Sequence, residues 1–181
     1  MSTNIVEAVQ KQMGYKPLHK VSPNTNQPEK ENNPEMATDF EQASLMSVLL
    51  GVYKKSKDIN DDAAWGIPST NMLTEIFGTE KDDVVNAVAN YAHVGTQKAE
   101  NEMYRAGTAI MQVVDSVAHG NTVLAKSYLT DQRTNILLYL PPDLHMGDLL
   151  HDNTVDDRTN KMEGPVSSFM HVIEKVFSSS K

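Results

Sequence analysis

Apolar residues recur along residues 96–119 at Ala99, Met103, Ala106, Ile110, Val113 and Val117. The steps alternate between four and three, which keeps all six on one stripe of an α-helix. Met111 and Val114 widen the stripe, and Gly107 admits a close neighbour. Lys98, Glu102, Arg105, Gln112 and Ser116 fall on the opposite, wet face. A helix of six turns with one dry face needs partners to cover it, so the pattern predicts the central helix (96–118) of a bundle. Two of the six seam positions are alanine, which suits close packing within one domain better than an intermolecular coiled coil.

The same reading extends along the chain. Residues 3–13 carry Ile5, Val6, Val9 and Met13 on one side, and Gly14 ends the segment. So short a helix is marginal alone in water and needs a surface to dock on. Pro17, Pro23, Pro28 and Pro34 then interrupt a polar stretch, which excludes a regular helix. The organisation predicted is a short N-terminal amphipathic helix (1–14), a flexible Pro-rich polar linker (15–36) and a helical bundle domain (37–178), with no core stripe before Phe40. In the bundle, Thr38 and Glu41 have the spacing of a capping box. The helix behind them carries Phe40, Leu45, Met46, Leu49, Leu50, Val52 and Tyr53 around more than half its circumference. A connector with the single tryptophan, Trp65, leads to a short helix with Met72, Leu73, Ile76 and Phe77, stopped by Gly78. Thr79 and Asp82 suggest a further N-cap, before a helix with Val84, Val85, Val88, Tyr91 and Ala92 inward. After the central helix, Asn121 caps one segment and Thr130 another, the latter burying Ile136, Leu137 and Leu140. Pro141 and Pro142 break the chain. A last helix opens at Gly164-Pro165 with Val166, Phe169, Met170, Ile173, Val176 and Phe177. No period-two strand appears, so the fold class is all-α: a single multi-helix bundle.

Charge narrows the function classes. The 181-residue chain has net charge −8, but residues 1–30 hold four lysines against two glutamates, leaving −10 on the rest. An acidic body repels phosphate backbones. The chain has no cysteine, so disulfides, thiolate zinc sites and cysteine nucleophiles are all excluded. A reducing compartment fits this. The first residues lack the basic start and apolar run of a secretory signal, and the expectation is a cytoplasmic protein.

Candidate chemistry is sparse. The nine glycines are nowhere closer than twelve residues, which excludes a P-loop, a dinucleotide fingerprint and a nucleophile elbow. No cofactor is implied. His145, Asp148, His151 and Asp152 form the densest set of metal-ligating types, and imidazole with carboxylate suits zinc or iron; the competing reading is a solvated helix face. Residues 152–163 place oxygens at positions 1, 3, 5 and 12 of a calcium loop through Asp152, Thr154, Asp156 and Glu163, but Asp157 stands where the sharp turn needs glycine. Asp58, Asn60 and Asp62 fail similarly, with Ala63 at the glycine position. Asp115 and His119 could act as an acid–base pair, although a histidine at a helix C-terminus is explained by the dipole alone. Helices 80–92 and 96–118 have a helix-turn-helix outline, with Gln97, Lys98 and Arg105 set among Glu100 and Glu102.

Two stretches resemble the YidB-like family, small helical bacterial proteins of unknown function. One is Ala87-Val-Ala-Asn-Tyr91-Ala-His-Val-Gly95-Thr96 running into an alanine-rich helix. The other spans Leu129, Gln132, Arg133, Ile136, Leu137, Leu140, Pro141, Pro142, Gly147, Leu149 and Leu150, with Asp143 where a glycine is expected. The resemblance implies a helical fold and a bacterial origin and supplies no catalytic residues. Three readings of function follow. The first is a non-enzymatic protein–protein interaction or scaffold module, engaging an unknown protein partner or a second copy through Ile5, Val6, Val9 and Met13. The alternative is a metal-binding protein using His145, Asp148, His151, Asp152, Asp156 and Glu163. The third is a nucleic-acid-binding helix-turn-helix-like protein.

Overall fold

The computed structural model describes residues 3–21, 36–66 and 69–152. Among them lie α1 (Ile5–Met13), α2 (Met36–Asp58), α3 (Met72–Phe77), α4 (Lys81–Tyr91), α5 (Thr96–Ala118), α6 (Thr122–Asp131), α7 (Arg133–Tyr139) and α8 (Met146–Leu149). The fold is an all-α bundle. Its axis is α5, which touches α1, α2, α3, α4 and α6. None of the described helices is long and apolar enough to cross a membrane. The last helix expected from residue 164 onward lies outside the described residues.

The α5 stripe is buried as its spacing predicts, with Ala99, Met103, Ala106, Ile110 and Val114 all covered. Val117 is the exception. It lies on the stripe but is 40 % exposed, while its neighbours Val114 and Ala118 are fully buried, so Ala118 takes the inward place at the end of α5. Gly107 earns its position by proximity: a Cβ there would stand 2.4 Å from Met72 Sδ. Gly51 on α2 does the same for α3, where a Cβ would meet Ile76 and Phe77 carbons at 2.5 Å.

α2 is buried over most of its surface, including Ser44, Ser47 and Gln42. The capping box expected at Thr38 and Glu41 does not form the helix start. α2 begins two residues earlier at Met36, so Thr38 lies within the helix and is buried. Thr79 likewise caps nothing. Gly78–Glu80 makes a 3₁₀ turn into α4, and the Thr79 hydroxyl donates to the Glu80 carboxylate at 2.9 Å. Asn121 does cap α6, its Oδ1 accepting from Leu124 N–H. Thr130 remains inside α6, and the break to α7 falls at Gln132 instead. The connector after α2 is stapled to the α5–α6 corner. Trp65 N–H donates to Gly120 O at 3.1 Å, Ala64 bridges Asn121, and the Thr122 hydroxyl donates to Ala63 O.

Candidate functional site

The N-terminal segment does not stand apart from the bundle. Asn4 caps α1, its Oδ1 accepting from Val6 N–H, and Gly14 closes it in the left-handed conformation at φ 70°. Between these ends Ile5, Val6 and Val9 are fully buried in the common core, and Met13 packs half-buried against it. The helix lies along α5 and also touches α7. It runs antiparallel to α5: Gln12 bonds Gln112, and Tyr15 bonds Glu102 further back along α5. The surface that so short a helix was expected to need is supplied here by the chain itself. The face formed by Ile5, Val6, Val9 and Met13 is already covered by the chain itself, because nine residues of helix reach stability only against a seat. The supposedly wet face of α5 is in part that seat.

The first part of the expected linker is also fixed. Tyr15 and Leu18 are buried, so the core does extend before Phe40. Residues 15–21 form an extended strap held by side chains of the bundle. Gln42, 4 % exposed, is the main clamp. Its Oε1 accepts from His19 N–H at 2.8 Å, while its Nε2 donates to His19 O at 2.8 Å and to Tyr139 O at 2.7 Å. Val21 N–H then donates to Leu138 O at 2.8 Å. At the other end of the arm Gln132, 2 % exposed, accepts from Ile5 N–H at 3.0 Å. That donor is one of the free N–H groups every helix start must place somewhere. The Tyr128 hydroxyl donates to Thr3 O. Residues 22–35, the rest of the expected linker, lie outside the described residues.

Neither glutamine was marked as functional by the sequence pattern, yet each sits on an apolar stripe. Gln42 precedes Leu45 and Met46 by three and four positions, and Gln132 precedes Ile136 by four. A buried amide survives only if its polar atoms find partners, so a glutamine on the inward face was the available signal.

Where the helix gives way to the strap, a cavity of about 520 Å³ opens between Tyr15, Phe40, Glu41, His93 and Lys98. The Lys98 ammonium lies 5.3 Å from the centre of the Phe40 ring. Glu102 accepts from Tyr15 OH and pairs with Arg105 at 2.7 Å. Burial, reinforced by the bond and charge of Glu102, holds the Tyr15 hydroxyl protonated well above the usual phenol range, so it acts as a donor. Glu41 Oε2 is buried with no hydrogen-bond partner among the described residues. Burial and then the neighbouring Glu102 charge raise the Glu41 carboxyl above the usual carboxylate range.

The other candidate residues are dispersed. His145, Asp148, His151 and Asp152 do not assemble into a ligand set, and no three His, Asp or Glu among the described residues gather as a metal site requires. His145 and His151 are both exposed and both take left-handed backbone. His151 Nε2 faces Glu80 at 4.0 Å. Asp156 and Glu163 lie outside the described residues. In the other calcium-like run, Asn60 closes a local turn on Asp62 N–H and Asp61 pairs with Lys126 at 2.6 Å. Asp115 accepts from Gly120 N–H, while His119 forms the left-handed end of α5. The helix-turn-helix outline is present as α4 and α5; α5 packs against five neighbours, and Gln97, Lys98 and Arg105 remain on its exposed side.

Comparison with protein-family models, with curated proteins and with solved structures finds no match.

Proposed function

We propose that this chain is a non-enzymatic helical interaction module whose working surface is the groove now filled by its own N-terminal arm. The observation that carries this reading is the clamp at Gln42. One buried amide satisfies both the N–H and the C=O of His19, which is recognition of a peptide by its main chain. The apolar face of α1 adds the other half, a short amphipathic helix laid in a groove. The arm therefore sits as a peptide ligand would, and the segment that displaces it has the same chemistry: a short amphipathic helix, a glycine stop and an extended strap. A second copy's arm meets that description, as does a partner's helix. The bacterial cytoplasm as its place of action is part of the same proposal, supported by the cysteine-free composition and the YidB-like resemblance.

A labelled peptide of residues 1–21, titrated into the full-length chain and followed by fluorescence anisotropy, tests the proposal. In wild type the tethered arm competes at an effective concentration on the order of millimolar, so binding is weak. In Val9→Asp, whose own arm is loosened, the peptide is expected to bind about tenfold more tightly or better. Absence of saturable binding to either protein, with both folded by circular dichroism, overturns the proposal.

A further inference from the structure

Two carboxylates from different helices, Glu41 of α2 and Glu102 of α5, line the same cavity at the joint between helix and strap, where the arm's Tyr15 bonds Glu102. Glu102 is fully engaged, since it takes Tyr15 OH on one side and Arg105 on the other. Glu41 Oε2 is buried with no donor among the described residues. An ionised carboxylate in that position carries two penalties, the loss of hydration at Oε2, which the Lys16 N–H to the carboxylate does not make good, and repulsion from Glu102. A single proton on Glu41 removes the repulsion and the larger, charge-dependent part of the desolvation cost.

From this geometry we infer that the Glu41–Glu102 pair is a proton-operated latch on the N-terminal arm, closed when Glu41 is protonated and loosened when it ionises. The inference deepens the proposed function by naming how access to the groove is regulated, and it rests on that reading only for its biological use.

The groups around Glu41 support the assignment. From α5 it faces Glu102, which opposes ionisation, and Arg105, which favours it; from the arm Lys16 favours it through its charge and its main-chain N–H. Tyr15 of the arm, Lys98 of α5 and His93 of the turn between α4 and α5 line the same cavity. Burial and Glu102 outweigh Arg105 and Lys16, and the docked-state carboxyl titrates above its ordinary range. Once the arm leaves, water reaches the site and the carboxyl returns toward ordinary behaviour. The sign follows from linkage. A group whose pKa is raised in the docked state stabilises docking at pH values below its released-state pKa, and that contribution disappears as pH rises through the docked-state pKa. Docking is thus tighter in mild acid and looser toward neutrality, the reverse of the usual pattern for a carboxylate held by a salt bridge.

The experiment is an NMR titration of the full chain between pH 4 and pH 8. It follows the side-chain carboxyl carbon of Glu41 together with the methyl groups of Ile5, Val6 and Val9, which report docking. The expected result is a Glu41 midpoint above the ordinary glutamate value, with the arm methyls shifting toward released positions over the same interval as pH rises. The docking constant should fall about tenfold for each pH unit separating the docked and released midpoints. Glu41→Gln should keep the arm docked throughout and abolish the response. An ordinary Glu41 midpoint, or arm methyls that ignore its titration, overturns the latch, and wild type alone is enough to decide this. Failure of the peptide titration with an intact Glu41 response would remove the interaction module and leave the latch standing.

Discussion

Ile5 on α1 and Ile110 on α5 are both completely buried, yet they stand in different situations. Ile110 belongs to a helix of 23 residues enclosed by five others. Ile5 belongs to a helix of nine residues that lies along α5 and touches α7. Burial measures how much a side chain loses when it is exposed. It does not say how much else must move to expose it. Releasing Ile110 means dismantling the bundle, whereas releasing Ile5 requires only that residues 3–21 lift away. Stability is therefore expected to be unequal across the molecule, with the arm opening at a lower free energy than the body.

The largest expected effect comes from placing a charge at each position in turn. Ile110→Asp should destabilise the whole protein by about 3 kcal/mol or more, because a buried unpaired carboxylate has no local way out. Val9→Asp has one, since the arm can undock and hydrate the charge. Its thermal melt should retain a cooperative transition for the body, lowered by a few degrees, while amide exchange in residues 5–13 becomes fast. Equal loss of the cooperative transition in both variants would show that the arm and the body are one unit, and the contrast between them would fall.

A smaller effect separates the two ends of the arm. Gln42→Ala removes one amide that serves three main-chain groups, two of them on or beside the strap. Gln132→Ala removes the acceptor for Ile5 N–H. Leaving buried main-chain groups unsatisfied costs about 1–3 kcal/mol, so both changes weaken docking. Gln42→Ala should weaken it more, and should speed amide exchange first at His19 and Val21. Gln132→Ala should act first at Ile5. A uniform change along the whole arm in either variant would mean that helix and strap dock as a single rigid piece.

These contrasts also explain which parts of the structure could be read from the sequence. The period of α5, the inward faces of α3 and α4, and the Asn121 cap are local patterns, and each appears where expected. Val117 follows the period and is still exposed, because spacing along a helix does not fix which side of the stripe the neighbours cover, and at this end they cover Val114 and Ala118. Threonine caps at 38, 79 and 130 mislead for a related reason. A hydroxyl suits a helix start, but α2 begins earlier, at Met36, and α6 runs on through Thr130. The docking of the arm was the least legible feature. An apolar face of Ile5, Val6, Val9 and Met13 identifies a helix that needs a seat without identifying the seat, and the clamps that hold it come from Gln42 and Gln132, far away in sequence. The Glu41–Glu102 pairing has the same origin, since only the packing of α2 on α5 brings those carboxylates together.

The smallest expected effect acts on the body and leaves the arm alone. His119 ends α5 at φ 50° and ψ 44°, a left-handed conformation that a β-carbon disfavours. Its N–H still donates to Asp115 O at 2.8 Å, and that bond does not depend on the side chain. Glycine adopts the same backbone without the steric penalty, although its freer unfolded chain takes back part of the gain. His119→Gly should therefore stabilise the body by about 0.5–1 kcal/mol, raising the melting temperature by roughly 2 °C for a chain of this size. His119 touches neither clamp nor latch, so the docking equilibrium of residues 3–21, measured by the exchange of Val6 and Val9 amides under native conditions, should stay at its wild-type value. A parallel rise in arm protection would mean that those amides exchange only through global unfolding, and would place Ile5 and Ile110 in the same cooperative unit after all.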